Sequence, residues 1–491
     1  MIKFSEISDR QKTLLKTAAV LIIIFISRLP FLSPGYGVDN DSWRFASIAR
    51  NISITGTYYW YSRAPGHPVQ EYICSLFWQS GPVGLNGATA VMSVMASLFF
   101  ILILKKLGFK NVYLPALAFA FTPVIYINSV NSMDNLWNLA FILASLYFVM
   151  RNNLITAGIM LGLANGCRLT SVILTLPFLI LIYYYNKAEK PKKILIKLLI
   201  FASGAVVVTF ISYIPGLLKF GKGLFTDVAW AYPGIFFIAF RLFIATWGLI
   251  GFSAIVIVCI IELAGRINLR KSAQKKPDWY FDISLWIAII FYIIIFMMMP
   301  HKPSYLVPLI PMLLILLGRF LSPKFYRFVC ISLIISPFLL GVYRTELDVK
   351  PETSDYVVKI GFSGSDIFFD PINGPILTEH SKRINQLEFR DKILAEGSRL
   401  KRKSVVVIGE AYPFIIVTLP AKVVGGKVID YVQGNVIYEY SSDSTKLNYY
   451  MQNGYDIYYL PGEEAISLQL YGVDLKSYGT PIFPATEDLE K

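Results

Sequence analysis

Along the first 343 positions apolar residues gather in long runs parted by short polar breaks. A helix rises about 1.5 Å per residue, so about 20 apolar residues cover the hydrocarbon core of a bilayer. By that measure the pattern predicts about eleven spans, near 14–32, 86–104, 112–129, 134–150, 154–168, 170–185, 194–214, 235–263, 283–299, 304–318 and 325–343. The fifth and sixth are short and carry Gly158, Gly162, Gly166 and Pro177, which predicts a broken hairpin that does not fully cross. The first run follows Lys3, Arg10, Lys12 and Lys16 as a signal sequence would, but Ser27-Arg28-Leu29-Pro30 offers no small-residue cleavage site. An uncleaved first span is expected.

From Arg344 onward the pattern changes to short β-rich runs alternating with amphipathic stretches. Thr378 to Glu396 reads as a helix, Ser404 to Gly409 as a buried strand, Ser444 to Asn453 as a helix entered at a Ser/Thr cap, and Tyr455 to Leu460 as another strand. Such alternation predicts a soluble α/β sandwich with a parallel sheet. It holds no G-x-G-x-x-G, so Val405-Val406-Val407-Ile408-Gly409 reads as a core strand rather than a nucleotide site.

Composition agrees with a membrane chain: 55% of residues are hydrophobic and 16% charged, so the apolar excess has to face lipid. The net charge of +14 is uneven, with 30 Lys/Arg against 11 Asp/Glu in residues 1–343 and 16 against 21 in residues 344–491. Cations cluster in alternate loops, as at Lys190, Lys192 and Lys193 or Arg270, Lys271, Lys275 and Lys276, while the opposite loops hold only Arg44, Arg50, Arg63, Lys219, Lys222 and Lys302. The positive-inside rule then predicts a multi-pass cell-membrane protein with a cytoplasmic N-terminus and an extracytoplasmic C-terminal domain. The basic total is explained by membrane orientation, and no nucleic-acid partner is expected. Cys74, Cys167, Cys259 and Cys330 stand alone, giving neither a disulfide framework nor a zinc site.

Only five acidic residues before Arg344 fall on the outer side: Asp39, Asp41, Glu71, Asp134 and Asp227. Asp39 and Asp41 directly follow the first span, where Asp41 is a candidate helix cap as well as a candidate base. The loop from 33 to 85 adds Tyr58, Tyr59, Trp60, Tyr61, Arg63, His67 and Trp78. Aromatic rings and cations at an interface suit sugars and phosphates, although an interfacial aromatic belt has the same composition. Pro65-Gly66-His67-Pro68 is a fixed turn that aims one imidazole. A second group is Met299-Pro300-His301-Lys302-Pro303-Ser304-Tyr305, where His301 and Lys302 are placed to grip a phosphate, with headgroup snorkelling as the plain reading of Lys302. Asp134 opens the fourth span, where helix capping is again the plain reading.

These features together resemble the GT-C membrane glycosyltransferases, notably the protein O-mannosyltransferase and aminoarabinose-transferase branch. The acidic loop of that branch reads D-E-x-x-Y/F-A-x-I-x-R, and Asp41-Ser42-Trp43-Arg44-Phe45-Ala46-Ser47-Ile48-Ala49-Arg50 keeps its register. The branch's Glu is Ser42 here, and Ser304 stands where the late motif has an Arg before Tyr305. His301-Lys302 is similar to the H-K motif of the lipid-linked mannosyltransferases. The resemblance covers residues 14 to about 343. It implies a polytopic α-helical, GT-C-like membrane domain over residues 1–343, followed by an extracytoplasmic α/β domain over residues 344–491.

In function, the resemblance implies transfer of a sugar from a polyprenyl-phosphate donor to an acceptor hydroxyl on a protein, lipid or glycan, with inversion. Asp41 is then the expected base, with Asp39 second. Arg63, His67, His301 and Lys302 are expected to hold phosphate, with Tyr305 and Asp134 on the substrates. No cofactor is required by the pattern, but some relatives pair acidic residues around a divalent metal such as Mg or Mn, in which case Asp39, Asp41 and Asp134 would be ligands. The alternative is a polytopic lipid or solute transporter or flippase with an extracytoplasmic domain. Against it, the spans hold almost no acidic residue, only Glu262 near an inner end.

Overall fold

The computed structural model describes residues 8–58, 62–225, 232–268, 279–344, 356–362, 365–424, 427–440 and 443–483. Among them, six helices are long and apolar enough to cross a membrane: Asp9–Phe31, Trp78–Lys106, Leu169–Asn186, Pro191–Leu224, Ile235–Gly265 and Trp279–Met298. Asn135–Met150, Leu154–Cys167 and Leu309–Phe320 are apolar but shorter. The chain is therefore a polytopic α-helical integral membrane protein.

Of the about eleven expected spans, these six helices match six, the three shorter helices fall on three more, and the remaining two runs break. The run near 112–129 divides into Tyr113–Phe121 and Pro123–Asn128. Thr122 between them is extended (ψ 130°), as the residue before a proline prefers. The run near 325–343 holds the helix Pro323–Ile335, then turns through Leu340 at φ +56° into a strand.

The glycines of the short hairpin do not interrupt it. Leu154–Cys167 is one continuous helix, and its Gly158, Gly162 and Gly166 meet the helix Pro191–Phe220. A Cβ on Gly158 would lie 2.5 Å from the Phe201 carbonyl oxygen, and one on Gly162 would lie 2.9 Å from that of Ala205. Small residues at this spacing let two membrane helices touch backbone to backbone. The break comes later, at Arg168, whose backbone is extended (φ −155°, ψ 109°) before the 3₁₀ turn Leu169–Leu174.

Among the described residues, nine strands follow Pro323–Ile335. β1 (Gly341–Arg344), β2 (Val358–Phe362) and β3 (Ser365–Asp370) form a three-stranded antiparallel sheet in the order β1-β3-β2. β4 (Ser404–Val407), β5 (Ala421–Val424), β6 (Lys427–Gln433), β7 (Val436–Glu439), β8 (Asp456–Tyr459) and β9 (Thr480–Pro481) form a second sheet ordered β5-β6-β7-β4-β8-β9. The sheet is mixed rather than purely parallel. β7, β4, β8 and β9 run parallel, whereas β5-β6-β7 is an antiparallel meander. β4 is central and wholly buried, as expected of a strand covered on both faces. The helices Pro375–Arg399 and Ser444–Gln452 fall where the pattern puts them, but the second is capped by Asp443, whose carboxylate accepts from the Thr445 amide at 2.8 Å.

The C-terminal part packs on the loop that follows the first span. Trp43 and Phe414 meet edge to face with ring centroids 5.0 Å apart. Arg50 donates to the Ile416 and Val417 carbonyls, and Arg383, buried at 1% exposure, donates to those of Phe31 and Val130. Bonds from charged donors contribute about 1.5–3 kcal/mol each, so these arginines fix the C-terminal part against the loop of the acidic motif.

Candidate active site

The helix Asn40–Thr55 begins at Asp39, whose carboxylate accepts from the Asp41 amide at 3.0 Å. Asp39, not Asp41, is the cap. The Asp41 carboxylate is thereby free of the helix end and turns to the cations around it.

Three cations surround it. Lys302 Nζ lies 2.5 Å from Asp41 Oδ2 and 2.5 Å from Asp39 Oδ2, Arg63 donates to Asp41 Oδ2 at 3.1 Å, and Arg44 stands 3.9 Å from Asp41 Oδ1. Burial opposes ionisation of Asp41, but Lys302 and Arg63 outweigh it and hold the carboxyl well below the usual carboxylate range. Lys302 responds in the opposite sense: burial works against its charge, yet Asp39 and Asp41 raise its pKa, so it stays an ammonium.

Arg63 is held by the turn before His67. Glu71, fully buried, accepts from the Tyr58 hydroxyl at 2.5 Å, from the Ser62 amide and hydroxyl at 3.1 and 2.6 Å, and from the His67 amide at 3.2 Å. One carboxylate thus closes the loop from 58 to 67. Tyr59, Trp60 and Tyr61 of the aromatic run lie outside the described residues. Arg63 also donates to the Tyr305 hydroxyl at 3.3 Å.

Asp134 sits at 1% exposure and makes no side-chain cap on the helix Asn135–Met150. Arg168 Nε lies 2.7 Å from its Oδ2, as an ion pair rather than an aligned hydrogen bond. The Arg168 guanidinium also stacks over the Tyr305 ring at 4.9 Å. His67 Nδ1 is 3.7 Å from Asp134 Oδ2 and 2.6 Å from the Cys167 carbonyl oxygen.

Arg168 is the residue the sequence reading missed. Its signal was a lone cation, in Gly166-Cys167-Arg168-Leu169, within an apolar hairpin, and an ionisable residue at that depth marks a site by default. Of the expected residues, Asp39, Asp41, Arg63, His67, Asp134, Lys302 and Tyr305 form one connected cluster with Arg168. A cavity of about 10 Å³ between Asp41, Ser62, Arg63, His67 and Asp134 has room for a single water. His301 lies beside Arg241 and Lys302, and burial followed by these two cations pushes its pKa down. A neutral imidazole is a weak phosphate ligand.

Lys302 does not snorkel to the headgroups; it bridges two carboxylates. That arrangement does not fit the divalent-metal alternative, because the ammonium holds the space between the Asp39 and Asp41 oxygens while Asp134 is paired to Arg168. Among the described residues no group of three or more His, Cys, Asp or Glu side chains is placed to hold a metal ion.

Residues 95–246 match the family described as GPI transamidase subunit PIG-U, which is less than half of the chain. No curated protein matches the sequence. The structure is similar to two crystal structures of ArnT from Cupriavidus metallidurans. The apo form is 13% identical, with 96% of this chain and 90% of that one covered at a TM-score of 0.48. The form bound to undecaprenyl phosphate is 13% identical, with 96% and 89% covered at 0.47. Likeness at that level does not carry residue roles across.

Proposed function

We propose that this protein is a GT-C-type glycosyltransferase that moves a sugar from a polyprenyl-phosphate donor to an acceptor hydroxyl on the extracytoplasmic face, with Asp41 as general base. The observation that carries the reading is the meeting of Asp41 with Lys302, 261 positions later in the chain, and with Arg63. A carboxylate and fixed cations in one partly buried place are what attack on a sugar phosphate needs. The base takes the acceptor's proton as its oxygen attacks the anomeric carbon, and the cations stabilise the phosphate that leaves. A single displacement of this kind inverts the anomeric configuration. On this reading residues 344–491 form an extracytoplasmic domain over the reaction face.

In the resting arrangement Asp41 is ionised, which is the state a base requires, but the cations that hold it there make it a weak one. A donor phosphate draws on Lys302 and Arg63 as well, and each cation it engages returns basicity to Asp41. Against a transporter, the acidic side chains nearer the other ends of the helices serve structural partners. Glu262 accepts from the Ser322 amide at 2.8 Å, and Asp282 pairs with Arg319 at 2.9 Å. The test is release of labelled sugar from a polyprenyl-phosphate donor by the purified protein, with transfer to a hydroxyl acceptor. Donor left intact in the presence of candidate acceptors contradicts the proposal.

A further inference from the structure

Lys302 sits where sites built on paired carboxylates hold a metal ion. Its Nζ is 2.5 Å from one oxygen of Asp39 and 2.5 Å from one oxygen of Asp41, so those oxygens are no further apart than twice that distance. A small divalent ion bound by the same two oxygens stands about 2.1 Å from each. The lysine is not a loose surface cation. Its side chain is 26% exposed, and its backbone is extended (φ −136°, ψ 132°) immediately before Pro303, which begins the turn Pro303–Leu306. Pro300 precedes it by two positions. The chain therefore delivers this ammonium to one point, and two carboxylates from a different part of the sequence receive it.

We propose that Lys302 is the resident cation of the Asp39–Asp41 pair and takes the place of a divalent metal there. Resting on the reading of the cluster as a transferase site, this means that the site works without such an ion. It also means that the carboxylate pair is a latent metal site, with Lys302 as the cation that touches both carboxylates. Shortening the side chain opens it. Charge explains the choice of residue, because two carboxylates this close need a counter-ion whatever its source.

The experiment measures Mn²⁺ binding to the purified full-length protein in detergent by electron paramagnetic resonance, and needs neither donor nor acceptor. The wild-type isotherm should be unchanged by D39N, a substitution that keeps a good helix cap. K302A should gain one site at least about ten-fold tighter than any wild-type binding, in the weak range of carboxylate sites. The gain should vanish in K302A/D39N. A wild-type site abolished by D39N overturns the proposal, as does a K302A protein that unfolds at the normal temperature yet gains nothing. Should K302A fail to fold, the comparison of wild type with D39N decides alone, identical isotherms upholding the proposal and a lost site refuting it. Failure of sugar transfer leaves these isotherms untouched, so the two readings fall separately.

Discussion

Removing both partners of the Arg168–Asp134 pair should cost well below the sum of removing each alone. Asp134 is at 1% exposure and Arg168 at 8%, with 2.7 Å between Nε and Oδ2. Arg168→Met keeps most of the side-chain volume but leaves a buried carboxylate with His67 at 3.7 Å and the field of Arg63, and breaking a buried pair in this way costs about 3–5 kcal/mol. Loss of the stack over Tyr305 adds about 0.5–2 kcal/mol. Asp134→Asn strands the guanidinium in turn. The double variant Arg168→Met/Asp134→Asn removes both charges, so its cost should fall below the sum of the singles by about 2 kcal/mol or more. The assay is thermal unfolding of the four proteins in one detergent, read as a double-mutant cycle. Additivity within about 0.5 kcal/mol would refute the pairing and with it the placement of Arg168 in the site.

Glu463 gives a pH prediction in the C-terminal part. Burial, then Glu410 and Glu464, push its pKa up to about 7 from an ordinary 4.5. The folded state then binds the proton more tightly than the unfolded one, so the contribution of Glu463 to stability is fully present below pH 4.5 and is lost as pH rises through 7. Glu463→Gln should flatten the unfolding midpoint across that window, and an unchanged slope counts against the assignment. Gly158→Leu should part the helices Leu154–Cys167 and Pro191–Phe220 and abolish stable expression, while Gly158→Ala costs about 1–3 kcal/mol; normal thermal stability of the Leu variant rejects the close contact. A reporter fused after Lys491 should lie outside the cell and one at Lys271 inside, and the reverse result removes the face assigned to the reaction.

Much of this arrangement was legible because it rests on long-range charge logic. Few acidic residues were available on the side expected to be outer, so Asp39 and Asp41 stood out, and Lys302 was one of six cations expected there. Other features were hidden by local rules that have more than one outcome. Either aspartate suits a helix cap, and only the three-dimensional path shows Asp39 taking it and Asp41 facing Lys302. Glycines within an apolar helix read equally as breakers or as contact points, and the neighbouring helix decides for contact. Hydropathy also counts apolar residues without seeing turns, so the breaks at Thr122 and Leu340 left no mark in the pattern. The β6-β7 hairpin had a usable signal in its two-residue Gly434-Asn435 turn, which the parallel-sheet expectation passed over. Arg168 was the most informative omission, since charge inside an apolar run is costly enough to need a reason.

In the proposed mechanism Asp41 accepts the proton during sugar transfer. Asp41→Asn keeps the size of the side chain, while the helix cap stays with Asp39. Turnover of labelled polyprenyl-phosphate sugar by the inserted, folded variant should therefore fall by about 10²–10⁴ relative to wild type, with Asp39→Asn losing much less. Near-normal transfer by Asp41→Asn would contradict the claim and leave Asp134 as the next carboxylate to test.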